Sequence, residues 1–416
     1  MGLIHFSAKT LRVMQGMACD FFGARRGRTK AYTDAMAEYH DNACGAMAYW
    51  KGRVAMYAIL RAIGVQEGDE IILPGYTCVV VPNAVMFCKA KPVYVDIDPI
   101  TYNLDASKLA AARTERTAAV MAQHTYGIPA DYDAIAEWAR GENLPVFEDC
   151  CHVFGSRYKG RLCGTMGAAS FFSGQWTKPF STGFGGVAVY NDEALARRAE
   201  EIARAEAYQP GRLESLVLGI QLLVHHALVY PATFTFCVES YRWLGRHGLA
   251  LASAGKKEMT GIGELPTDYF KMSSAVQATA GLSEIHRGMH SYLHRKKLAA
   301  FYEEELRRAK WPMPDLPPWA DPVYLRFPVR VKNKEEMLRL GSKHFLELGD
   351  WFDRPLHYAT SPNLEPFGYY EGMCPVAEKA ARECINLPLH PRVGLGHARR
   401  TVRLLLKHGQ PVDMPY

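Results

Sequence analysis

Short apolar runs alternate with amphipathic stretches through the first half of the chain. Residues 70–73, 92–96, 118–122, 145–149, 169–172 and 186–190 read as strands. Residues 54–63, 80–87, 106–112, 132–140 and 193–207 carry helical spacing. Strands of this length separated by helices imply crossover units and a mainly parallel sheet covered on both faces. In such a sheet ligands sit beyond the carboxyl ends of the strands. Residues 1–30 show no period and predict an arm or a short helix, and a helical pattern runs over 32–46. Later, residues 323–331 alternate as an antiparallel strand does. They open a small α+β unit that closes on a helix near 397–408.

One stretch breaks the pattern. Between Glu214 and Glu239 there is no Asp, Glu, Lys or Arg. Its His225, His226 and Pro231 make a poor membrane span. A buried helical hairpin or a dimer contact is the preferred expectation for the insertion at about 209–248. Contact with a membrane surface is the alternative, supported by the aromatic and basic residues of Tyr241-Arg242-Trp243.

Composition narrows the class. The chain has 416 residues, 48% hydrophobic and 22% charged, as a folded globular protein does. Lys and Arg number 49 against 43 Asp and Glu, a net charge of +6 spread along the chain. The densest basic patch, Arg25-Arg26-Gly27-Arg28, has no interleaved aromatics, so nucleic acid is not the expected partner. The 10 cysteines form no CxxC pair and suit neither a disulfide framework nor a zinc site. No metal is expected. With no apolar leader at the N-terminus, the expectation is a reduced, cytoplasmic protein.

The candidate chemistry gathers at two strand ends. Asp149 closes the strand at 145–149, and His152 follows within reach of the same site. Lys178 stands after an apolar strand, between Trp176 and Phe180 and before a glycine-rich turn. Such flanks desolvate an amine and lower its pKa, as an imine-forming lysine requires. A lysine with a buried aspartate upstream is the pairing that pyridoxal phosphate needs, the aspartate keeping the pyridine nitrogen protonated. Phosphate donors would be the Ser173 hydroxyl and the backbone N–H groups of Gly52-Arg53-Val54 at a helix start.

These features, with Gly68-Asp69-Glu70-Ile71-Ile72-Leu73-Pro74, Lys91-Pro92-Val93-Tyr94-Val95-Asp96, Tyr126-Gly127, Glu148-Asp149, Thr177-Lys178, Lys271-Met272-Ser273 and Leu387-Pro388-Leu389-His390-Pro391, resemble the DegT/DnrJ/StrS family. These are fold-type-I, pyridoxal-phosphate-dependent sugar aminotransferases, and the resemblance covers roughly residues 32–405. It implies an α/β fold: a large cofactor-binding domain over 1–255, then an interface helix and a small α+β domain over 256–416. It further implies that Lys178 bonds to the cofactor, that Asp149 faces its ring nitrogen, and that Ser173, Gly52, Arg53 and Val54 hold its phosphate. His152 falls where the family has a glutamine on the O3′ side. Cys78 falls where an aromatic usually covers the ring, leaving Tyr76 or His152 to do so. Tyr269 falls on or near an asparagine that reaches the partner subunit's phosphate. The interval from Lys178 to Lys271 exceeds the family's, and the excess is the uncharged insertion.

The implied activity is transfer of an amino group from glutamate or glutamine to a keto-sugar, nucleotide-linked, by a homodimer. Alternatives are a lipid-linked or cyclitol ketone on the same cofactor, or a pyridoxal-phosphate-binding sensor or scaffold without turnover. The retained lysine argues against the related sugar dehydratases, which carry histidine there.

Overall fold

The computed structural model describes residues 8–228, 256–261, 265–359 and 363–413. In chain order its strands as far as Tyr190 are β1 (Gly45–Tyr49), β2 (Glu70–Pro74), β3 (Thr77–Cys78), β4 (Lys91–Val95), β5 (Thr117–Gln123), β6 (Val146–Asp149), β7 (Arg157–Tyr158), β8 (Arg161–Leu162), β9 (Ala169–Ser173) and β10 (Gly186–Tyr190). A 7-stranded sheet runs β1-β10-β9-β6-β5-β2-β4. From β9 to β4 all neighbours are parallel, while β10 is antiparallel to both β9 and β1. The fold is α/β, as the alternating pattern implies. Every residue of β10 is buried, as expected where helices cover both faces.

The parallel register brings Gln123, at the end of β5, opposite Asp149 at the end of β6. Phe171 of β9 lies opposite Asp149 on the other side. Ser173 therefore ends its strand on the same edge. The helix Gly52–Ile63 is almost wholly buried and ends at Gly64, whose φ of 93° only glycine adopts readily.

The N-terminal region differs from the sequence expectation. It forms two helices, Ala8–Phe22 and Arg25–Tyr39, and the pattern over 32–46 stops early. Asp41 and Asn42 take left-handed φ values of 55° and 57°, which ends the helix. The alanine-rich stretch after them is then recruited as β1 by the open edge of β10. Small residues are needed there because the helix Glu193–Glu206 lies close: a Cβ on Gly45 would come 3.3 Å from that of Ala196.

The first helix also caps a long one, Ala275–Arg308. Asp20 accepts the backbone N–H groups of Ala275 and Val276, each at 3.0 Å. Ser274 and Gln277 add a capping box.

Of the uncharged stretch, the described part is one helix, Arg212–Leu228. Leu218 and Leu222 pack with Val13 and Val276, while Leu213, Leu216, Ile220, Val224 and Leu228 are exposed. The expected hairpin's second arm lies outside the described residues. No helix among the described residues is long and apolar enough to cross a membrane.

In the C-terminal part, β12 (Arg326–Arg330) pairs antiparallel with β14 (Cys384–Pro388), as the alternation predicts. Around them Tyr302, Phe327, Leu387 and Leu405 share a second hydrophobic cluster. β11 (Ala320–Asp321) pairs with β7, and β13 (Leu356–His357) lies parallel to β3. That last pairing sets His357 beside Cys78 and draws the segment from Trp351 onward over the carboxyl edge of the main sheet.

Candidate active site

Asp149 is buried at the tip of β6. Its Oδ1 accepts the backbone N–H of Cys151 at 2.8 Å. Burial pushes its carboxyl above the usual aspartate range, against the opposing pull of that hydrogen bond, Lys178 and His124. The neighbouring Glu148 points to the other face of the strand. Burial works against its charge, but His124 at 3.0 Å and the backbone N–H groups of Gly164, Met166 and Gly167, each at 2.8 Å, outweigh that. Its carboxyl is held below the usual range. His124, Glu148 and Cys150 cluster within 4.8 Å, yet the carboxylate's acceptor capacity is taken up by these donors. Glu148 is a brace for the strand that carries Asp149.

Lys178 stands half-buried on the turn after β9, its backbone N–H bonded to Gln175 O at 2.9 Å. Burial pushes its amine below the ordinary lysine value, with Cys151, Cys78 and Asp149 pulling the other way and Arg326 adding to the depression. Its Nζ lies 4.4 Å from the centre of the Trp351 ring. A depressed amine in electrostatic reach of a buried carboxyl is a nucleophile that loses its proton more readily than an ordinary lysine.

His152 is buried against Trp351, with ring centres 5.0 Å apart. Burial first, then Lys178, His357 and Arg326, push its imidazole well below the usual range, so it is neutral. Nδ1 accepts the Tyr126 N–H at 3.3 Å, which places the ring proton on Nε2. Tyr126 presents that N–H from a left-handed φ of 58°.

A cradle lies at the start of the helix Gly52–Ile63. Its N-cap, Lys51, is extended and makes no side-chain cap, leaving the first turn's N–H groups without that partner. A Cβ on Gly52 would lie 2.8 Å from the Ser173 Cβ, so only glycine lets the helix start approach this serine. Lys51 is half-buried, and burial followed by Arg53 lowers its amine to about 7. The Arg53 side chain turns away to Glu258 at 2.7 Å, both groups being buried. An open helix start beside a hydroxyl and a lysine suits a phosphate. Val54 is buried in the same turn, so it contributes backbone only.

Of the residues expected from the sequence, the structure gathers Asp149, His152, Lys178 and Cys78 in one electrostatically coupled group, and Gly52, Arg53, Val54 and Ser173 in the cradle. Cys78 is half-buried, its thiol pushed up by burial. Tyr76 cannot cover a ligand as it stands. It is wholly enclosed, with its hydroxyl 2.8 Å from that of Tyr126 and its ring 4.5 Å from Phe352. Tyr269 lies apart from Lys178, its ring packed on Phe87 and Tyr57 at 4.8 and 5.5 Å. Its charged neighbours are Arg53 and Glu258, on the flank of the cradle. Sequence reasoning missed Lys51, Trp351, His357 and Arg326. For Lys51 a signal existed, a cation immediately before a helix-opening glycine.

A model of the DegT/DnrJ/EryC1/StrS aminotransferase family matches residues 12–222 and 237–405. The chain belongs to this family. It is an aminotransferase of the fold-type-I class. The chain is 31% identical over 345 residues, 82% of its length and 79% of the relative's, to a UDP-2-acetamido-2-deoxy-3-oxo-D-glucuronate aminotransferase of Pseudomonas aeruginosa. It is 28% identical to a pleiotropic regulatory protein of Geobacillus stearothermophilus, over 85% of this chain and 81% of that one. Among solved structures, the aminotransferase TlmJ of Streptoalloteichus hindustanus superposes with a TM-score of 0.72 at 24% identity, covering 95% of each chain, a likeness of fold.

Proposed function

We propose that this aminotransferase moves an amino group from glutamate or glutamine to a keto-sugar in nucleotide-linked form, with pyridoxal phosphate as carrier. The observation that carries this reading is the coupling of Lys178 to Asp149 at the carboxyl edge of the sheet, with the start of the helix Gly52–Ile63 lying close against Ser173. The residues present fit that cofactor. A depressed amine, a buried carboxyl and an uncapped helix start are the three anchors that it requires.

When bound, pyridoxal phosphate supplies a reactive carbonyl carbon and a ring that withdraws electrons. The protein's own groups do the rest. Asp149, whose carboxyl burial raises against the pull of Lys178 and His124, would be the group to hold the ring nitrogen protonated. Lys178 would be the residue that holds the cofactor's carbonyl carbon, and its depressed amine is placed to accept and return a proton, as the one lysine among the described residues of this group. His152, neutral and with its proton on Nε2, would offer a hydrogen-bond donor to the cofactor. It is also the remaining candidate to cover the ring, since Tyr76 is enclosed. The N–H groups of Gly52 and Arg53 and the Ser173 hydroxyl would hold the phosphate, with Lys51 adding charge, while the Val54 N–H donates to Lys51 O at 3.1 Å. The Arg53 guanidinium is already neutralised by Glu258, so its contribution is through the backbone.

The nucleotide-linked sugar is favoured by likeness to the Pseudomonas aeruginosa relative, whose name specifies a UDP-linked 3-oxo sugar. We place the large cofactor-binding domain at 1–255 and the interface helix and small domain at 256–416. We take the working unit to be a homodimer, with Tyr269 and its neighbours facing the second subunit. The test is a panel of keto-sugar nucleotides, cyclitol ketones and lipid-linked ketones offered to the aminated enzyme. Turnover with a keto-sugar nucleotide supports the reading. Turnover confined to a cyclitol or lipid-linked ketone, or none with any ketone, overturns it.

A further inference from the structure

Among the described residues 18 large apolar side chains are exposed, and half of them stand on two helices, Ala8–Phe22 and Arg212–Leu228. The helices touch. A Cβ on Gly219 would come 2.6 Å from Met17 Cγ, and the Arg212 guanidinium lies 5.8 Å from the centre of the Phe21 ring. Val13, Leu218 and Leu222 turn inward and pack with Trp50 and Val276. Leu216, Ile220 and Val224, at four-residue spacing, form an outer stripe on the second helix. Met14, Phe21 and Phe22 are exposed on the first, Phe22 by 81%. Scattered singly, such residues need no explanation; gathered on two touching helices, they mark a contact surface.

The charges around the patch are of one sign. Arg12, Arg26 and Arg212 are exposed, and none makes an ion pair with a described residue. The two helices carry only two acids, and both are taken. Asp20 is buried and accepts the N–H groups of Ala275 and Val276, and Glu214 is bonded to Lys271 at 2.8 Å. A second copy of the chain on a two-fold axis would set these arginines against themselves. An anionic lipid surface meets both properties at once, with headgroups for the arginines and an acyl boundary for the apolar stripe. Helices of 15 and 17 residues are too short to cross a bilayer and long enough to lie along it.

We propose that the outer faces of these two helices seat the protein on an anionic membrane surface. The inference concerns where the protein works and does not depend on the amino-transfer reading. It does place the candidate site near the lipid, because the second helix presses its inner side on the turn that carries Lys178. The His225 ring lies 4.9 Å from that of Trp176, and a Cβ on Gly183 would meet Leu218 Cδ1 at 2.9 Å.

The full chain is sedimented at low salt with vesicles of phosphatidylcholine, alone or mixed equally with phosphatidylglycerol. The native protein should pellet with the mixed vesicles and stay largely in solution with phosphatidylcholine alone. Leu216→Glu, Ile220→Glu and Val224→Glu together should cut the bound fraction about tenfold or more. These side chains are exposed, so the denaturation midpoint should hold. Arg12→Gln, Arg26→Gln and Arg212→Gln together should weaken binding to the mixed vesicles and flatten its salt dependence. A native protein that stays in the supernatant overturns the proposal, as does a glutamate variant that pellets like the native one. Arginine variants that bind the mixed vesicles as the native protein does overturn the assignment to anionic lipid. A glutamate variant whose mass by light scattering falls by half assigns the stripe to a second copy of the chain and overturns the proposal too.

Discussion

The Lys178 amine rests 4.4 Å from the centre of the Trp351 ring, so an indole from the C-terminal part of the chain forms one wall around the reacting lysine. The parallel pairing of Leu356 with Thr77 and His357 with Cys78 fixes that wall in place. Tyr126 is its second fixing point. Its hydroxyl bonds to the Trp351 carbonyl and accepts the Phe352 N–H at 3.2 Å.

Removal of this wall should change the pH at which the lysine reacts. Burial is the largest influence on Lys178 and favours its neutral form, so admitting water returns the amine toward its ordinary value of 10.5. Capture of pyridoxal phosphate by the cofactor-free protein needs the neutral amine and should accelerate as pH rises through the depressed pKa. In Trp351→Ala that rise should move to higher pH. Stopped-flow capture rates from pH 6 to 10, a span of about four units around neutrality, test this; coincident profiles would mean that Trp351 does not set the amine's environment.

Asp149→Asn should still take up the cofactor, because the phosphate cradle is untouched. Its reaction with the amino donor should slow by about a thousandfold or more, since an amide cannot hold a ring nitrogen protonated. Single-turnover kinetics with glutamate measure this directly, and a near-native rate would remove Asp149 from its role.

The cradle can be probed with one methyl group. A Cβ at Gly52 would meet the Ser173 Cβ at 2.8 Å, so Gly52→Ala must displace the serine or the helix start. We expect at least tenfold weaker pyridoxal phosphate binding and about 1–3 kcal/mol lost stability. Gly141→Ala, with nothing within 4 Å of the added carbon, is the control and should leave both unchanged.

Acid should unfold the protein partly through Glu148. Its folded pKa lies below its ordinary value of 4.5, so its contribution is present above that value and is lost as pH falls through the folded pKa. Glu148→Gln places an amide among backbone N–H donors and should cost roughly 2–4 kcal/mol at neutral pH. It should also flatten the loss of stability below pH 4.5. Denaturant titrations across that range check both effects.

The sequence made Asp149 and Lys178 legible because Asp149 ends β6 and Lys178 stands on the turn after β9, and the apolar runs of both strands are unmistakable. The same holds for the sheet's parallel strands. β1 was not legible: alanines and a glycine carry no strand preference, and the edge of β10 supplies the pairing that makes them one. Nor could Trp351, His357 or Arg326 be foreseen. Trp351 and His357 reach the site through a two-residue pairing between β13 and β3, and a contact so short leaves no periodicity, while Arg326 sits on β12, paired with β14. Tyr76 shows the converse. Its place beside Cys78 suggested a cover for the ligand, but its hydroxyl is drawn inward to Tyr126.

The central claim is that Lys178 is the residue that bonds to pyridoxal phosphate. Borohydride reduction of the loaded protein, followed by peptide mapping, reads it out in one step. The account predicts a single modified lysine at position 178, and no visible cofactor absorbance in a folded Lys178→Ala protein. Modification of any other lysine, or of none, would contradict it.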